Sequence, residues 1–131
     1  MSQAKFLPVC VYCKKSYDPD AEKITDRISL CGWCRHNRAK IQQKQLTLIA
    51  VLNAGYADSI KRLSDEDNDR FTRIYHASNS VPDDKRDVFE RKLINTIALG
   101  GPLAVVLTQW QSVRTAQKEY EDLDMLFEAI P

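Results

Sequence analysis

Four cysteines, Cys10, Cys13, Cys31 and Cys34, are the residues of this chain best suited to chemistry. They fall as two C-x-x-C pairs, Cys10-Val11-Tyr12-Cys13 and Cys31-Gly32-Trp33-Cys34, with seventeen residues between the pairs. Two intervening residues let a tight backbone knuckle aim both sulfurs of a pair at one ion. Two such pairs supply the four thiolates that a tetrahedral zinc takes. The expected cofactor is Zn2+, with Cys10, Cys13, Cys31 and Cys34 as its metal ligands. An iron–sulfur centre or a redox switch are the alternatives that the same thiolates leave open.

Other uses of cysteine fit less well. A disulfide framework needs an oxidising compartment, and Met1 to Pro8 holds no apolar signal-peptide core. A thioredoxin-like pair expects one C-x-x-C after a strand in a βαβ unit, a pattern found around neither pair. Catalysis is not expected. A zinc held by four cysteines keeps no position for water or substrate. His36 and His76 are the only histidines, and neither has a serine or cysteine nucleophile placed beside it in the sequence. There is no glycine-rich phosphate loop. The carboxylate runs at Asp65–Asp69 and Glu119–Asp124 read as solvated helix faces rather than a calcium loop.

The 131 residues carry 44% apolar and 28% charged side chains, a composition that folds. Net charge is +1, unevenly spread. Residues 1–45 hold nine Lys/Arg against four Asp/Glu, a net of +5, and the remainder nets −4. Lys14, Lys15, Arg35, Arg38 and Lys40 are the candidate nucleic-acid-binding residues, because cations engage phosphates. Tyr12, Tyr17 and Trp33 offer aromatic surface on which bases stack. The competing expectation is ordinary solubility, with Tyr12 or Trp33 packed on the small metal core. The most apolar window, Ile97–Leu107, is far short of the roughly 20 residues of a membrane span. A cytoplasmic location is expected, with the nucleus also open.

These residues must be positioned by a small scaffold. Asp18-Pro19-Asp20 signals a turn, and Ile24, Ile28 and Leu30 share a strand face, so a short β-hairpin is expected between the knuckles. Lys14 stands where many knuckles place glycine to reach positive φ. The second knuckle opens into a helix starting near residue 34 and stopping near Asn53-Ala54-Gly55. A knuckle leading into a helix resembles the treble-clef arrangement; a zinc ribbon is the alternative. The spacing of seventeen also resembles the finger of the DksA/TraR family of RNA-polymerase-binding regulators, whose last cysteines lead into a helix. That resemblance covers the four cysteines and their surroundings and implies RNA polymerase as a partner. In that family the finger follows a helical region, whereas here it comes first.

Beyond the finger the pattern is helical. Ser64-Asp65-Glu66-Asp67 caps one helix, Pro82 opens the next, and Gly100-Gly101-Pro102 separates that from a long last helix. The fold class is therefore mostly α: a four-cysteine zinc module over residues 1–44, then a bundle of about four helices over 45–131, with the helix beginning near 34 bridging both. The last helix carries an apolar stripe from Leu103 that breaks at Asp124. Its end places acidic residues at the negative pole of the helix dipole, so Tyr120, Leu123, Leu126 and Phe127 are expected to form a partner or homodimer interface. The expected function is zinc-dependent regulatory binding to nucleic acid or to a nucleic-acid machine such as RNA polymerase. The alternative is a protein–protein adaptor or inhibitor with a purely structural zinc.

Overall fold

A computed structural model describes residues 6–131. It is mostly helical, with α1 at Gly32–His36, α2 at Arg38–Lys61, α3 at Asp65–Ser80, α4 at Arg86–Ala98 and α5 at Gly101–Ala129. Of the zinc module expected over residues 1–44, the first five residues lie outside the described residues.

The β-hairpin expected between the knuckles is not formed. Among the described residues there is no strand, only an isolated antiparallel bridge between Val9 and Ser16. The backbone of this segment spends its hydrogen bonds locally. Asp18 Oδ1 accepts from the N–H of Asp20 at 3.0 Å, Glu22 N–H donates to Asp18 O at 3.0 Å, and Ile24 N–H donates to Pro19 O at 2.8 Å. Lys23 adopts a left-handed φ of 57°. Such a string of turns leaves no row of free amides for a ladder. Ile24 and Ile28 still pack against the core that buries Leu30, although no strand aligns them.

The helix after the second knuckle is longer than expected. A turn at Asn37 separates α1 from α2, and α2 then runs through Gly55 to Lys61. A mid-helix glycine costs roughly 1 kcal/mol, which packing of the following turn offsets; Tyr56 and Ile60 both reach a buried core. α3 begins as expected, with the Ser64 side chain accepting from Asp67 N–H at 3.2 Å. A 3₁₀ turn at Asp83–Lys85 precedes α4. Gly100 and Gly101, at φ 75° and 85°, link α4 to α5 in a conformation that only glycine adopts cheaply.

The chain divides into two compact units. One takes the chain as far as Leu48 together with Gln117–Pro131; the other is Ile49–Ala116. The first boundary falls close to the expected one at 44/45. The second lies inside α5 and returns the chain's end to the cysteine module, which corrects the expected assignment of 45–131 as one body. In the Ile49–Ala116 unit, Phe71, Leu93, Leu103, Val106, Leu107 and Trp110 form the core, flanked by Tyr56 and Ile60. Phe71 meets Tyr56 and Trp110 edge-on, with ring centroids 6.0 and 6.1 Å apart.

Candidate metal centre

Both knuckles are built by backbone hydrogen bonds that turn the sulfurs inward. In the first, Cys10 N–H donates to Lys15 O at 2.9 Å and Lys14 N–H donates to Cys10 O at 3.0 Å. Closing it puts Lys14 at φ 63°, the left-handed position usually given to glycine. In the second, Cys31 caps α1: its sulfur accepts from Cys34 N–H at 3.5 Å, and its carbonyl accepts from Arg35 N–H at 3.1 Å. Gly32 leaves room for the Glu22 carboxylate to approach its backbone. Its N–H donates to Glu22 Oε2 at 2.7 Å, and a Cβ there would meet that oxygen at 3.0 Å. Val11 N–H donates to Ser29 O at 2.9 Å and ties the two knuckles together.

The four sulfurs lie within 4.8 Å of one another. Cys10 Sγ is 3.6 Å from Cys34 Sγ, and Cys13 Sγ is 3.8 Å from Cys31 Sγ. A regular tetrahedron whose vertices sit about 2.3 Å from a central zinc has edges of about 3.8 Å. The donor set therefore fits a metal ion held by four thiolates. Cys10 and Cys34 are fully buried, Cys31 is nearly so and Cys13 is half-buried.

The ionisation of these thiols points the same way. Burial alone would raise Cys10, but the backbone N–H groups of Cys31, Cys13 and Tyr12, with the Cys13 side chain, bring it down to about 6. Burial pushes Cys31 up. It pushes Cys34 up further, and the neighbouring Cys31 and Cys10 side chains add to the effect. By themselves the sulfurs favour a thiolate at Cys10 and oppose ionisation of Cys31 and Cys34. A cation among them removes that repulsion and lets all four ionise.

The metal-ligand cluster sits in a core supplied from both ends of the chain. Cys10, Cys31 and Cys34 pack with Tyr17, Leu30, Ile41, Leu123, Phe127 and Ile130. Leu123 and Phe127 are only 7% and 3% exposed, while Tyr120 and Leu126 are half-buried. The expected partner interface is thus corrected for Leu123 and Phe127, whose seat is intramolecular. The acidic helix end finds its support in the same unit, where Asp124 Oδ1 accepts from Gln42 Nε2 at 3.0 Å.

The expected nucleic-acid residues do not act as one set. Arg35 is committed internally: it donates to both oxygens of Asp26 at 2.6 and 2.7 Å and to the carbonyls of Leu30 and Ile28 at 2.7 and 2.8 Å. The Arg35 guanidinium in turn holds the Asp26 carboxyl down at about 2, helped by the Ile28 N–H. Lys14 donates to Val11 O at 2.7 Å. Lys15, Arg38 and Lys40 are exposed. Tyr17 is buried, whereas Trp33 is 63% exposed. Asp26 and Glu22 complete the site through Arg35 and the Gly32 N–H, and short-range spacing carries no signal for either.

Charge is also redistributed by the fold. Residues 117–131 hold one Lys against five Asp/Glu, so adding them to the +5 of residues 1–48 leaves this unit at +1. Among the described residues no helix is long and apolar enough to cross a membrane. No protein-family model, curated protein or solved structure matches the chain.

Proposed function

We propose that this chain is a non-enzymatic adaptor or inhibitor that binds a protein, organised by a structural zinc on Cys10, Cys13, Cys31 and Cys34. The near-neutrality of the metal-bearing unit carries the choice: the acidic end of α5 offsets the basic knuckles that a phosphate-binding surface would need. The withdrawal of Arg35 into the Asp26 clamp supports the same reading. Zinc fits because four soft thiolates at tetrahedral spacing suit it, and a closed ligand set suits a structural role. A nucleic-acid machine such as RNA polymerase remains within this reading as a protein surface.

The nucleic-acid reading has one observation in its favour, the exposed Trp33 in a unit whose Lys15, Arg38 and Lys40 are also exposed. Affinity capture on the zinc-loaded chain, with and without nuclease, separates the two. A partner retained after nuclease, with a shallow salt response, is the expected result. Loss of the bound material on nuclease treatment, or a steep salt dependence abolished in Arg38→Ala/Lys40→Ala, would replace the adaptor reading with nucleic-acid binding.

A further inference from the structure

We propose that Cys13 is a peroxide-modification site and that Cys31 resolves its oxidised sulfur into a disulfide across the knuckles, an assignment that rests on the zinc site of the adaptor reading and makes that site reversible. Burial singles out the entry point. Cys10 and Cys34 are 0% exposed and Cys31 is 7% exposed, whereas Cys13 is only half-buried. Oxidants attack thiolate sulfur that solvent can reach, and a metal ligand is held as the thiolate. Distance singles out the resolving partner. The sulfurs pair off between the knuckles: Cys13 Sγ lies 3.8 Å from Cys31 Sγ, and Cys10 Sγ lies 3.6 Å from Cys34 Sγ. Closing 3.8 Å to a disulfide bond of about 2.05 Å draws the first pair together by roughly 1.8 Å. A neighbouring thiol at this range captures a sulfenic acid before more peroxide carries it to the irreversible sulfinic state.

The chemistry takes two displacements. Cys13 Sγ attacks one oxygen of hydrogen peroxide, the O–O bond breaks, hydroxide leaves, and the sulfur becomes S–OH. Cys31 Sγ then attacks the Cys13 sulfur; the S–S bond forms, the S–O bond breaks, and a second hydroxide leaves. Each hydroxide takes a proton from solvent. Two thiolates thus lose two electrons, and one peroxide becomes two waters. Cys10 and Cys34 remain as thiols, which no longer complete a four-thiolate site. Cys31 also gives up the thiolate that caps α1 by accepting from Cys34 N–H at 3.5 Å. The modification therefore loosens the start of the helix along with the metal.

The test treats the zinc-loaded full chain with an equimolar amount of hydrogen peroxide. A chromophoric chelator reads the released zinc, dimedone traps sulfenic acid, and peptide mass spectrometry maps both products. Dimedone on Cys13, a Cys13–Cys31 bridge, and zinc release in step with that bridge are expected. Dithiothreitol with added zinc should restore the loaded chain. Cys13→His keeps a zinc ligand, since three cysteines and one histidine also hold the ion, but removes the reactive sulfur, so peroxide should release its zinc at least about tenfold more slowly. If that variant does not load with zinc, trapping and mapping in the native chain decide by themselves. Dimedone adducts chiefly on Cys10, Cys31 or Cys34, a bridge within either knuckle, or zinc retained through excess peroxide would each overturn the assignment and leave the zinc site standing. A chain purified under reducing conditions without zinc would overturn the zinc site and this assignment together.

Discussion

Arg35 and Asp26 form a two-pronged pair, with N–O distances of 2.6 and 2.7 Å, and the same guanidinium also takes the carbonyls of Ile28 and Leu30. It therefore fastens the loop before the second knuckle to the helical turn after it. Arg35→Ala would leave these carbonyls and the carboxylate to find water, so it should lower the melting temperature by about 5–10 °C and speed metal loss to a chelator. Arg35→Lys keeps the charge but not the fork and should recover little. Calorimetry of the three proteins, with metal release followed in parallel, checks both statements.

The same pair sets a pH dependence. The Asp26 carboxyl is depressed to about 2 in the fold, whereas an unfolded aspartate titrates near about 3.9. A depressed acid stabilises the folded state above its unfolded value and loses that stabilisation as pH falls toward its folded value. The stability advantage of the native chain over Asp26→Asn should thus be constant above about pH 5 and shrink from there toward pH 2. Thiolate protonation affects both proteins alike, so the difference between their denaturation curves isolates Asp26.

Metal removal should dismantle one unit and spare the other. Residues 10–34 bury few apolar groups of their own, and their core includes three thiols that need a cation to ionise together. One zinc per chain is expected on metal analysis of protein purified under reducing conditions. Cys13→Ser or Cys31→Ser should release it. Hydrogen exchange should then rise in residues 10–34 and also in 117–130, while Phe71, Leu93 and Trp110 keep their protection.

How much of this was legible in the chain can be seen at single residues. The cysteine spacing identified all four members of the cluster, because local knuckle geometry depends on near neighbours. Ser64 and the Gly100-Gly101 link marked helix ends for the same reason. Gly55 misled, because its local cost was outweighed by packing contributed from distant residues. Arg35 misled likewise: a cation on a helix reads as surface until its partner is known. The end of α5 is the clearest case. Leu123 and Phe127 were visible as apolar residues on a poorly supported helix end, yet only the fold places the cysteine knuckles against them.

That placement reverses an expectation for Leu126→Asp/Phe127→Asp. Phe127 is 3% exposed in the core beside Cys10 and Cys34, so the double variant should unfold the metal-bearing unit rather than merely block an association. Phe127→Ala alone should cost roughly 3–5 kcal/mol of that unit's stability. Met125 is 69% exposed, and Met125→Asp should be close to neutral. Denaturation of the three variants, together with their zinc content, separates a core role from a surface one.

Left-handed backbone positions supply a matched pair of tests. Lys14 holds φ 63° with a Cβ, at a cost of roughly 1–2 kcal/mol that glycine avoids. Glycine also loses more chain entropy on folding, so Lys14→Gly should stabilise the metal-bearing unit by a net of roughly 0.5–1 kcal/mol. Its lost bond to Val11 O is exposed and matters little. Gly100 is the converse: φ is 75°, and nothing lies within 4 Å of a Cβ built there. No steric neighbour complicates Gly100→Ala, so the loss of roughly 1 kcal/mol expected in the Ile49–Ala116 unit is purely conformational. Opposite signs for the two substitutions in chemical denaturation would establish that each turn is held by backbone geometry. A destabilising Lys14→Gly would instead show that the lysine side chain itself secures the first knuckle.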